Sequence, residues 1–164
     1  EALFYLGEGR AAAGDRAGAR AAWTEAANFQ GDFQDMSVRA YSELTYFSAL
    51  AWRRLGKPDR AERLLRDLLA YARALEKQVA KIDYFATSLP TLLLFEDDPQ
   101  ARQATTARTL QAQAWQGLGR KAKARAAWLD VLRRDPNHPR AGDALAELEK
   151  PGPDAIRRPR AGRR

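Results

Sequence analysis

The sequence contains no cysteine, which excludes a disulfide framework and any thiolate metal site. Histidine is nearly absent as well. His138 stands alone in a Pro-flanked turn, so no His–His or Cys–His metal spacing exists. A Ser-His-Asp triad would have to use that one residue, and no serine sits in a nucleophile-elbow pattern. Glycine-rich phosphate loops and dinucleotide fingerprints are missing, so no catalytic residue, metal or cofactor is expected. No apolar run approaches bilayer-spanning length; Leu92-Leu93-Leu94-Phe95 is far too short. Neither a signal peptide nor a transmembrane helix is visible, which gives a cytoplasmic expectation. The chain opens at Glu1 inside an apparent helix, so a piece of a longer protein is expected.

What is present suits one domain or one short solenoid: 164 residues, 45% of them hydrophobic. The net charge of +7 is uneven. Residues 151–164 hold five arginines and one aspartate, net +4, which leaves +3 for residues 1–150. With Pro151, Gly152, Pro153 and Pro159 among the arginines, 151–164 reads as a disordered basic tail on a 1–150 helical domain.

A spacing recurs three times: a small residue, then glycine, then alanine, then a large apolar residue. The sets are Gly7/Gly14/Ala19/Trp23, Ala49/Gly56/Ala61/Leu65 and Ala112/Gly119/Ala124/Trp128. The glycine suits the φ > 0 position that ends a helix. The small residue lets two helices approach, and the large one fills the gap beside it. Leu6-Gly7, Ala19 and Trp23, then Trp52, Ala61 and Leu65, then Trp115, Ala124, Trp128 and Pro136 carry a further implication. The chain resembles the tetratricopeptide repeat family, with its pattern W-x2-L-G-x2-Y…A-x3-F…P. The resemblance implies an all-α, right-handed solenoid of three irregular helical hairpins, an inserted short helix and a C-terminal capping helix.

Irregularities sit between the hairpins. Gly14 and Gly56 are 42 positions apart, and Gly56 and Gly119 are 63 apart. The link Phe29–Asp35 is expected to bulge or extend a helix, with Phe29 and Phe33 tucking it down, and the next helix to start near Ser37. The helix after Gly56-Lys57-Pro58-Asp59 should run to about Ala80. Within 82–98, Ser88 with Pro90 suits a short helix, and Asp97 or Asp98 suits the cap of a helix beginning at Pro99. The combination of an Ala-Leu-rich hairpin, a Tyr-Ser-Glu-Leu helix and DYFATSLP…LLLFEDD is similar to the C-terminal region of a bacterial family of unknown function. Members of that family join a galactose-mutarotase-like N-terminal domain to C-terminal tetratricopeptide repeats. That resemblance places sugar-handling chemistry upstream of Glu1 and transfers no catalytic residue to this chain.

Three groups invite chemistry. Asp83 and Glu96-Asp97-Asp98 can do acid–base work or hold a divalent cation, but helix capping is the simpler use. Tyr84, Phe85 and Ser88 suit a ligand box or, as readily, a packed plug. The tail IRRPRAGRR can hold phosphates through arginine, although no base-reading motif accompanies it and nucleic acid is not the expected partner. The family resemblance implies that the first helix of each pair lines a concave face. Glu8, Tyr46, Arg53, Gln113 and Gln116 would then face the groove. The expected function is a non-catalytic scaffold for a peptide, a protein or the upstream domain. The alternatives are a helical appendage of a carbohydrate-active protein and polyanion binding through the tail.

Overall fold

The computed structural model describes residues 1–29, 32–34, 37–80 and 98–150. Among the described residues there are seven helices: α1 Ala2–Ala12, α2 Arg16–Ala27, α3 Glu43–Arg54, α4 Pro58–Lys77, α5 Pro99–Gly117, α6 Lys121–Arg134 and α7 Ala141–Glu149. Two three-residue strands, β1 Asp32–Gln34 and β2 Ser37–Arg39, pair antiparallel between α2 and α3. The class is all-α with this one small ribbon. The inserted helix expected around Ser88 and the tail at 151–164 lie outside the described residues.

Three turns have the same hydrogen bonding. Gly14, Gly56 and Gly119 take φ of 84°, 72° and 72°, the left-handed region that costs glycine nothing. In each, the glycine N–H and the next N–H donate back to carbonyls of the last helical turn. Gly56 donates to Arg53 O and Lys57 to Trp52 O; Gly119 donates to Gln116 O and Arg120 to Trp115 O; Gly14 donates to Ala11 O and Asp15 to Arg10 O. These are Schellman closures, and they turn α1 onto α2, α3 onto α4 and α5 onto α6. Chain neighbours also pack from α2 through α3 and on from α4 through α5 to α7.

Helix starts follow local chemistry. Asp15 accepts from Gly18 N at 2.8 Å, and Asp98 accepts from Gln100 N and Ala101 N at 2.9 and 3.1 Å, with Pro99 at the first helical position. Asp98 is therefore a cap. Ser42 and Thr45 form a capping box, so α3 starts at Glu43 and not near Ser37, which pairs with Gln34 instead. α2 ends at Ala27 and Asp32–Gln34 is strand, so the described part of the 29–35 link is not helix. Phe29 does not tuck down, being 45% exposed, and the Phe33 side chain lies outside what is described. α4 stops at Lys77, where Gln78 turns extended.

The paired small and large residues pack as the spacing predicts. A Cβ built on Gly7 would lie 2.3 Å from Trp23 Nε1. Ala49 and Leu65 are fully buried in the larger core, which also holds Phe4, Tyr46, Phe47 and Leu68. Ala112 and Trp128 are fully buried in a second core with Val131, Ala141 and Ala144. Among the described residues, no helix is long and apolar enough to cross a membrane.

Two glycines of α1 give opposite expectations. Gly7→Ala drives a methyl into the Trp23 indole and should cost about 1–3 kcal/mol. Gly9→Ala meets nothing within 4 Å and should stabilise by roughly 0.5–1 kcal/mol through helix propensity. Urea unfolding of the two variants checks the signs.

Candidate functional site

The first helices of the three pairs lie side by side, α1 against α3 and α3 against α5. Helical spacing brings aromatic rings to the first of these junctions. Phe47 of α3 sits with its ring centroid 6.0 Å from Phe4 and 5.8 Å from Tyr5 of α1, and 5.4 Å from Tyr46. Across these rings lies Arg140, the residue that starts α7. Its guanidinium is 4.6 Å from the Phe47 centroid and 5.7 Å from that of Tyr46. Its Nη1 donates to Glu1 Oε1 at 3.2 Å, and the side chain is 13% exposed.

Burial is the largest influence on the Arg140 charge and works against it. The neighbouring Tyr5 phenol, together with the carboxylates of Glu1 and Glu147, more than offsets it, and the pKa is raised. Glu43 at the start of α3 is raised by burial, with His138 and Arg140 opposing and Glu1 assisting. The Tyr46 phenol is pushed up to about 12, chiefly by burial; Arg140 and Arg53 pull it down, while Glu147 and Tyr5 push it further up. The ends of α1, α3 and α7 thus form one electrostatic unit.

Among the five expected groove residues, Tyr46 is 4% exposed and Gln113 is fully buried. Neither amide atom of Gln113 has a hydrogen-bond partner among the described residues. Arg53, two turns beyond Tyr46, is exposed and donates to the Gly117 carbonyl at the end of α5. Gln116 is half-buried: its Oε1 accepts from Trp128 Nε1 at 2.8 Å and its Nε2 donates to Glu147 Oε2 at 3.1 Å. Glu8 accepts both Nε and Nη2 of Arg54, at 2.8 and 2.6 Å. The structure therefore brings Tyr46 within the field of Arg53 and puts Gln113 and Gln116 on one face of α5. It sets Glu8 against Arg54. Sequence reasoning missed Arg140, Glu147 and Glu1, which meet this face from the two ends of the described chain.

His138 acts within the turn before α7. Its Nδ1 accepts from Arg140 N at 3.4 Å, so Nε2 carries the proton and donates to Thr109 Oγ1 at 3.2 Å. Thr109 Oγ1 in turn donates to Thr105 O. The ring also leans on Trp128 at 6.2 Å. Among the described residues, no group of three His, Cys, Asp or Glu side chains could hold a metal. Asp83, Tyr84, Phe85, Ser88, Glu96 and Asp97 lie outside the described residues.

Tyr46 sets a pH dependence. Its folded pKa of about 12 lies above the value of 10 expected when unfolded, so the unfolded chain releases the proton first. Its contribution is complete below pH 10 and is lost as pH rises towards 12, by roughly 2–3 kcal/mol. Tyr46→Phe should flatten this decline in urea midpoints measured across that range. At the other site, Asp98→Ala removes a cap and should cost about 1 kcal/mol in the same assay.

Comparison of the chain with protein-family models, with curated proteins and with solved structures finds no match.

Proposed function

We propose that the chain is a non-catalytic helical-repeat module, a tetratricopeptide-like right-handed solenoid in which α7 is the capping helix. It holds a peptide, a protein segment or a companion domain against the face made by α1, α3 and α5. The observation that carries this reading is Arg140. A residue from outside the three hairpins already rests on that face, over the Phe47 and Tyr46 rings and paired with Glu1. Such a face offers aromatic surface to a cation and carboxylates at its rim. The repeated Schellman closures and the small–large pairs support the family reading.

Arg53 is the exposed group of this face, and its fork suits a carboxylate. Tyr46 lies under Arg140, and both amide atoms of Gln116 are taken, by Trp128 and Glu147, so these two become reachable only when the Arg140–Glu147 segment yields. The incoming peptide and residues 138–147 therefore compete for one surface.

Selection of a phage-displayed random peptide library against the full chain tests this. The selected peptides should bind Arg53→Glu more weakly by about tenfold or more, since a reversed charge in a partly buried pair is costly. They should bind Arg140→Ala more tightly, because a competing state is weakened. Helical circular dichroism should be unchanged in both variants. Peptides indifferent to both substitutions would remove the basis for this surface.

A further inference from the structure

The turns closing the second and third hairpins carry a charge excess found nowhere else in the described body. Residues 53–60 hold Arg53, Arg54, Lys57 and Arg60 against Asp59, a net +3. Residues 119–123 hold Arg120, Lys121 and Lys123 and no acid, again a net +3. Because residues 1–150 carry +3 in all, the body outside these two turns is −3. All seven cations are exposed.

Two of the seven are committed: Arg53 to the Gly117 carbonyl and Arg54 to Glu8. Lys57, Arg60, Arg120, Lys121 and Lys123 have no carboxylate partner among the described residues. Asp130, by contrast, gathers Arg108, Arg133 and Arg134. Other cations such as Arg16, Arg63 and Arg125 also lack a carboxylate partner among the described residues, so what marks the turns is the concentration of such cations. The turns also differ from the first one in their caps. Lys57 and Arg120 occupy the N-cap positions of α4 and α6, and neither makes a side-chain cap. The equivalent position of α2 is Asp15, which does. A cation is unfavourable at the positive end of α4 or α6 but favourable at the C-terminal end of α3 or α5 that shares each turn, so the helix dipoles largely cancel as a reason for these residues.

The two turns form one surface. Arg53 joins them through Gly117 O, and a Cβ on Gly117 would lie 2.6 Å from Leu65 of α4. Half-buried indoles hold some of the cations up. Arg60 lies 4.9 Å from the Trp52 ring centroid, and Lys123 lies 4.6 Å from that of Trp115, with Arg73 at 5.3 Å. Those contacts reduce the freedom of the long side chains before any anion arrives.

We propose that the joined turns are a docking surface for an acidic peptide segment, rich in Asp and Glu. Nucleic acid fits less well. Single-strand binders combine cations with aromatic faces open to stacking bases, whereas Trp52 and Trp115 both have cations seated on them. The surface meets the face covered by Arg140 at Arg53 and extends away from it through Lys57, Arg60 and the 120–123 cations, and its test substitutes only Lys121 and Lys123.

Fluorescein-labelled polyglutamate and single-stranded oligothymidylate are titrated against the full chain at low and at physiological salt. Polyglutamate should bind more tightly than oligothymidylate, and its affinity should fall with salt as exposed charges are screened. Lys121→Glu with Lys123→Glu should weaken polyglutamate by roughly tenfold, from the summed loss of several exposed pairings. Lys121→Gln with Lys123→Gln, which keeps the side chains polar and adds no repulsion, should weaken it less. Arg157→Ala with Arg158→Ala and Arg160→Ala in the tail should change it by less than about twofold. The proposal is overturned if polyglutamate fails to bind, if oligothymidylate binds more tightly, or if the tail substitutions abolish binding while the turn reversals do not.

Discussion

How closely paired helices approach is decided here by one type of contact, a large side chain on the second helix laid over a small residue on the first. At Gly7 the approach is so close that one added carbon would sit 2.3 Å from the Trp23 indole nitrogen. Ala49 with Leu65 and Ala112 with Trp128 hold the matching positions of the other two pairs; each pair shares one core, and all four residues are fully buried. Dispersion in so dense a contact acts over many atoms and leaves little room for another register. The glycine closures complete the constraint. Each glycine lies seven positions after the small residue, and the second helix begins two residues later in all three pairs. Pairing geometry and turn geometry therefore specify the same answer.

Close pairs let the first helices stand beside one another, and that is what makes an aromatic floor for Arg140. Phe4, Tyr5, Tyr46 and Phe47 meet only because α1 and α3 are in contact. Removing a guanidinium from water is costly, and a single ion pair rarely repays it. Arg140 has more than one partner: two ring faces and the carboxylate of Glu1, with Glu147 adding to the field. The arrangement also explains the lifted Tyr46 phenol, which sits under this cover and not in solvent. The unpartnered Gln113 amide is the cost left on the same face of α5, a buried polar group whose hydrogen bonds are unmade.

Local chemistry was legible in the sequence and distant chemistry was not. Gly14, Gly56 and Gly119 announced their turns because only a residue without a side chain takes that conformation freely. Asp98 before Pro99 announced a cap for a similar reason. The Asp32–Arg39 ribbon was missed because three-residue strands carry no periodicity to detect, and Phe29 looked like an anchor only because it is large. Of the candidate site, the spacing of seven puts Tyr46 and Arg53 on one side of α3, but Tyr46 is buried and Arg53 is exposed. The burial of Tyr46 could not be foreseen, since Arg140, which lies over its ring, is distant in sequence. A pairing between Glu1 and Arg140 leaves no local pattern for sequence reading to find. The same holds for Gln116, whose partners Trp128 and Glu147 lie on two other helices.

The uneven repeat lengths follow from where a helical pair can absorb extra residues. The three glycine turns cannot lengthen without losing their double hydrogen bonds, so insertions go to the opposite ends of the pairs. There α4 and α5 grow together, to 20 and 19 residues against 11 to 14 in the other paired helices. Growth in step keeps both new ends satisfied. Gln103 of α5 donates to the Leu75 and Gln78 carbonyls at the end of α4, and Gln100 accepts from Ala80 N and donates to Gln78 O. Side chains of one helix thus cap the other, which a shorter partner could not do. With both helices extended equally, Gly56 and Gly119 stay adjacent, and Arg53 still reaches Gly117 across the 63-position interval. Irregular sequence is confined to one edge, and the opposite edge keeps the repeated geometry that sets two basic turns side by side.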